Sequence, residues 1–86
     1  MNTLENFQMF KVKEKVGMLQ PDTWIVYSSY ETKDDTVYKV MYDSQTEIRS
    51  VGIINHSKLS EAFEEGRIEV GGIKKYKKKD IEKGKK

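Results

Sequence analysis

His56 is the only histidine in the chain and Ser57 follows it directly, so nucleophilic or acid–base chemistry would have to begin with this pair. A general base needs a nucleophile and an orienting carboxylate within hydrogen-bond reach. Adjacent residues do not point at one another in an extended or helical segment, and the surrounding pattern puts His56 at the junction of a strand and a helix. Its expected role is structural, and the chain is expected not to be an enzyme. Cysteine is absent, which removes thiol nucleophiles, disulfide frameworks and thiolate metal sites. Asp34 and Asp35, and the trio Glu61, Glu64 and Glu65, offer oxygen ligands without calcium-loop spacing or a histidine among them. Both groups are expected on solvent faces, with no metal and no cofactor. Gly71-Gly72 lacks the strand–loop–helix setting of a phosphate-binding loop.

Charge is what points to a partner. The formal net charge of +2 hides a split along the chain. Residues 1–72 hold eight Lys and Arg against twelve Asp and Glu, a balance of −4, whereas residues 73–86 hold eight lysines against Asp80 and Glu82, a balance of +6. Lys74, Lys75, Lys77, Lys78 and Lys79 cluster around Tyr76. In such a cluster the ammonium groups can meet phosphates while the ring stacks on a base or sugar. Lysine lacks the planar fork with which arginine reads guanine, so the contact is expected to tolerate any sequence. Nucleic acid or a nucleoprotein is the expected partner of this basic segment. The plainer expectation is a solubilising tail, or one that lies across Glu61, Glu64 and Glu65.

A second function follows from the acidic body. Glu31, Asp34, Asp35, Asp43 and Glu47 could dock on a basic patch of a larger protein. The chain would then be an inhibitor or adaptor of the kind that phages and other mobile elements encode. The strand aromatics Trp24, Tyr27, Tyr30, Tyr38 and Tyr42 could also form a stacking platform for single strands, although a role as core and sheet surface is the plainer expectation.

The elements that position these residues are expected to be mostly strands. Eighty-six residues make one domain, read as residues 1–79 with a flexible lysine-rich tail over 80–86. A short turn leads into a strand near residues 8–16, and Gly17 and Gln20-Pro21-Asp22 read as turns. Residues 24–31, 36–42 and 47–54 are rich in β-branched and aromatic side chains and are joined by short polar links, the pattern of an antiparallel meander. Alternation predicts an inner face of Trp24, Val26, Tyr30, Tyr38, Val40, Tyr42, Ile48 and Ile54. One helix follows, with Ser57 as its cap, Leu59, Ala62 and Phe63 as its apolar stripe and Gly66 as its end. Its charges oppose the helix dipole, so packing must hold it. Residues 67–70 and 73–78 flank Gly71-Gly72 as a two-residue β-hairpin would, with Val70 facing Ile73 and Glu69 opposite Lys74. The fold class is α+β, mainly β: a small antiparallel meander sheet with one short helix and a C-terminal β-hairpin, or alternatively an SH3-like barrel.

Phe63-Glu-Glu-Gly-Arg-Ile68, followed by Gly72-Ile-Lys-Lys-Tyr-Lys-Lys-Lys-Asp-Ile-Glu82, resembles the wing and final helix of excisionase-type winged helix-turn-helix proteins. The resemblance covers a minor part of the chain. The residues before it depart from that pattern, with strands where the helix-turn-helix should stand, and the family is not assigned. The first residues carry neither a basic n-region nor an apolar core, and no apolar run is long enough to span a bilayer. The expected location is cytoplasmic, away from membranes.

Overall fold

Strands β1 (Gln8–Val12), β2 (Asp22–Glu31), β3 (Thr36–Tyr42), β4 (Gly52–Asn55) and β5 (Ile68–Ile73), with helix α1 (His56–Glu64) between β4 and β5, make up the computed structural model, which describes residues 1–45 and 51–74. The five strands form one antiparallel sheet in the order β4-β3-β2-β1-β5. The sheet is open: β4 and β5 are its edges, so the fold is α+β and mainly β, and the closed barrel held as an alternative is not formed.

The meander β2–β3–β4 follows from its own composition. Its longest hairpin is closed by Thr32-Lys33-Asp34-Asp35, where the Thr32 hydroxyl accepts the Asp34 and Asp35 amides and donates to the Asp35 carbonyl. A serine or threonine that bonds the backbone two or three residues on holds such a turn without glycine. Between residues 16 and 19 a tighter turn uses Gly17 at φ +58, with Val16 and Leu19 exchanging backbone hydrogen bonds across it.

One face of the sheet builds the core. Phe10, Val12, Trp24, Val26, Tyr38, Val40, Ile54 and Ile68 are buried beneath Leu59 and Ala62 of α1 and beneath Leu4, Val16 and Leu19 from the connections. Fully burying a residue such as Leu59 contributes about 1.5–3 kcal/mol, which is what retains a nine-residue helix with no acidic residue in its first turn and no basic residue in its last. Ile25 and Met41, paired across β2 and β3, are buried on the opposite face.

Three expectations about side chains change. The β2–β3 register shifts between Val26 and Ser28, so Ser29, not Tyr30, stands opposite buried Tyr38. An extra residue in one strand reverses the alternation beyond it, and Tyr30 turns outward at 46% exposure. Phe63 is 40% exposed, and Leu59 and Ala62 alone are the buried residues of α1. The helix cap is Asn55, not Ser57, and Asn55 makes no side-chain capping bond. Gly66, at φ +74, ends the helix as expected. Ile48 lies outside the described residues.

The largest revision concerns residues 68–73. Gly71 and Gly72 make no turn; they lie inside β5, which runs antiparallel to β1 with Ile68 opposite Val12, Glu69 opposite Lys11 and Val70 opposite Phe10. The pairing resumes at Gln8–Ile73, so Gly71 and Gly72 together face Met9. The glycine pair serves a bulge in place of a hairpin. At Gly71 a Cβ would stand 3.3 Å from the Met9 carbonyl oxygen, whereas at Gly72 it would meet nothing. The physical reason is the free edge of β1: with β2 on one side only, its outward amides and carbonyls need a second strand, and β5 provides it.

Candidate binding surfaces

Lys74 follows β5 directly and is held there. Its backbone N–H donates to the Phe7 carbonyl at 2.7 Å, and its Nζ donates to the Asp43 carboxylate at 2.9 Å and the Asp43 carbonyl at 3.1 Å. Both side chains of the pair are about one-third exposed, at 32% and 34%. The expected Glu69–Lys74 pairing is replaced by this one. Glu69 instead meets Lys13 at 2.9 Å, which lowers the Glu69 carboxyl below its ordinary value, the hydrogen bond from Lys13 being the main cause. Lys75, Tyr76, Lys77, Lys78 and Lys79 lie outside the described residues, as do residues 75–78 of the expected second hairpin arm and the 80–86 tail.

The five acidic residues expected to form a docking surface are not gathered on one. Glu31 and Asp34 stand exposed at the tip of the β2–β3 hairpin, without an ion-pair partner among the described residues. Asp35 is turned inward from the same tip. Its Oδ2 accepts the Ser57 amide of α1 at 3.1 Å and its Oδ1 accepts the Thr36 amide at 2.8 Å. The Asp35 carboxyl is lowered from its ordinary value, first by a hydrogen bond from the Ser57 side chain and then by the Ser57 and Thr36 amides. A carboxylate from another element thus occupies the positive end of a helix that lacks its own. Asp43 holds Lys74, and Glu47 lies outside the described residues. Glu61, Glu64 and Glu65 are exposed on α1 and just beyond it, where Glu65 pairs with Arg67 at 3.1 Å. Among the described residues no group of three or more acidic, histidine or cysteine side chains is arranged to hold a metal.

His56 does sit at the strand–helix junction, but its partner is not its neighbour. Nδ1 lies 2.8 Å from the Tyr38 hydroxyl, which also accepts the Leu4 amide at 3.0 Å. No sequence pattern marks a contact between residues 18 positions apart on different elements. The aromatic platform is likewise dispersed: Trp24 and Tyr38 are buried, Tyr42 packs against Trp24 with ring centroids 4.4 Å apart, and Tyr30 lies under the Lys39 ammonium at 5.7 Å. These rings do not share an open face.

Two clefts mark the sheet edges. At the β4 edge Met18, Tyr30 and Ile53, exposed at 57%, 46% and 46%, line a shallow cleft of about 410 Å³ with Val37 and Lys58. The Ile53 amide donates to the Met18 thioether at 3.3 Å. Sequence alternation hides this cluster, because only the bulge at Val26–Ser28 brings Tyr30 to it. At the β5 side residues 1–5 line a cleft of about 650 Å³ with Gln8, Phe63 and Val70. Among the described residues no helix is long and apolar enough to cross a membrane. No family model, no curated protein and no solved structure matches this chain.

Proposed function

We propose that this protein is a non-enzymatic binding module that engages nucleic acid or a nucleoprotein through Lys75, Tyr76, Lys77, Lys78 and Lys79, without reading base sequence. The observation that carries this function is the separation of charge along the chain. Residues 75–86 retain seven lysines against Asp80 and Glu82 even after Lys74 is set aside as a partner of Asp43. Lys74 is an anchor in this scheme, and the phosphate contacts begin after it.

The test is binding of the full chain to single-stranded and duplex oligonucleotides across a salt series, beside a K75Q/K77Q/K78Q/K79Q variant. Each phosphate contact adds about 0.7–0.9 to the slope of log K against log salt, so the variant should lose up to about 3 in slope and bind every sequence equally weakly. Equal binding by both proteins, or none at low salt, overturns the proposal.

A second function, docking on a basic protein as an inhibitor or adaptor, is favoured by one specific arrangement. Exposed Met18, Tyr30 and Ile53 line one cleft beside β4, and Tyr30 is followed by Glu31 at the acidic hairpin tip. An apolar centre with a charged rim is the make-up of a protein-binding patch.

A further inference from the structure

The Tyr38 hydroxyl is fully buried and joins three elements. It accepts the Leu4 amide of the N-terminal segment at 3.0 Å and lies 2.8 Å from His56 Nδ1 at the start of α1. With the phenol oxygen accepting the Leu4 amide, the neighbouring acceptor within reach of the phenol proton is the Nδ1 lone pair, when that nitrogen carries no proton. Among the described residues no buried side-chain nitrogen or oxygen lacks a partner. A phenol that accepts from Leu4 and donates to Nδ1 requires a His56 ring that carries its proton on Nε2 alone. Burial raises the Tyr38 phenol above its ordinary value, so the phenol keeps its proton across the range in which imidazole titrates.

We propose that the Leu4–Tyr38–His56 chain is a proton-operated latch that holds residues 1–5 against the sheet while His56 is neutral and releases them when it is protonated. Protonation puts an N–H at Nδ1, facing the phenol proton. Tyr38 must then accept from both sides and leave its own proton without an acceptor inside the core, or part from one neighbour. Leu4 is the buried residue of the segment, and residues 1–5 form one wall of the 650 Å³ cleft above Phe63 and Val70. Release of Leu4 removes that wall.

The charged groups facing His56 pull in different directions. Asp35, from the β2–β3 turn, favours the imidazolium, but its carboxylate is committed to the Ser57 and Thr36 amides at a solvent-accessible site, where water screens it. The positive end of α1 opposes the imidazolium, and Lys58, two residues on, is exposed. The Tyr38 side chain has no solvent exposure, so a hydrogen-bond acceptor lost there is costly to replace.

The test is amide hydrogen exchange of Leu4 in the full chain, corrected for intrinsic rates, together with the ¹⁵N spectrum of the His56 ring. Leu4 protection should fall about tenfold, the factor set by one lost neutral hydrogen bond, along the His56 titration curve, while Val26 and Val40 stay protected. His56→Asn, which offers an oxygen acceptor that does not titrate, should hold Leu4 protection flat, and Tyr38→Phe should abolish it at every pH. A ring spectrum at neutral pH with the proton on Nδ1 overturns the latch. So does Leu4 protection that ignores the His56 titration, or a His56→Asn variant that falls as the wild type does. If His56→Asn does not fold, the tautomer and the coincidence of the two wild-type curves decide.

Discussion

Asp35 belongs to a turn by sequence and to a helix by contact. Its carbonyl and amide close the β2–β3 hairpin through Thr32, while its carboxylate caps the Ser57 amide across the fold. The consequence is a pH dependence with a definite sign. A carboxyl lowered in the folded state adds stability above its ordinary value of 3.8, and that stability is lost as pH falls through the lowered folded value. Asp35→Asn should therefore be less stable than the wild type near neutrality, with the two converging at the acid end. Urea midpoints measured at stepped pH check this, and parallel curves would show that the carboxylate contributes nothing. Phe7 is the other residue under local constraint. It is the single described non-glycine residue at positive φ (67°), with its amide bonded to the Val26 carbonyl and its carbonyl to the Lys74 amide. Its backbone is held from both sides, as a conformation costing about 1–3 kcal/mol must be.

Among the elements, β5 shows how far a local signal can mislead. Gly-Gly between two β-rich runs is hairpin chemistry by any local rule. The same pair suits a bulge opposite one residue, and the unmet hydrogen bonds of β1 choose between the two. Substitution separates the alternatives. In the observed strand Gly71→Ala crowds the Met9 carbonyl and should cost about 1 kcal/mol, a modest overpacking penalty. Gly72→Ala has open space and a negative φ, so its stability should match or slightly exceed the wild type. A hairpin turn at this site would penalise both substitutions, and denaturant unfolding of the pair reads the difference. The helix shows the converse. Its stop at Gly66 is local and was legible, whereas its start depends on an aspartate 22 residues earlier.

For the molecule as a whole, the separation of charge and the exposed β4 edge call for different partners, and one set of variants tells them apart. Ile53→Asp places a charge in the centre of the Met18–Tyr30–Ile53 patch, and Glu31→Lys with Asp34→Lys reverses its rim. Ile53→Asp, one charge far from the lysine cluster in sequence, should leave oligonucleotide binding nearly intact, and the two charge reversals should leave it intact or strengthen it, since a negative surface repels phosphate and a positive one attracts it. Capture of a protein partner should drop at least tenfold under the same changes, because central apolar contacts dominate such interfaces. Ile53, Glu31 and Asp34 are already solvent-exposed, so the fold itself should be little affected.

Taken alone, the amino-acid sequence determined whatever depends on near neighbours: the strand–turn–strand run from Trp24 to Tyr42, the helix across Leu59 and Ala62, the turn at Gly17, the helix end at Gly66, and the asymmetry of charge. Period-two and helical spacing are properties of a few adjacent residues and survive without a partner. The tertiary structure alone decided which edge β5 would pair with, which way Tyr30 faces beyond a bulge, and that Asp35, Asp43 and His56 are engaged by Ser57, Lys74 and Tyr38. Those outcomes depend on satisfying buried polar groups across the sheet, a condition on residues far apart in the chain that no local pattern records.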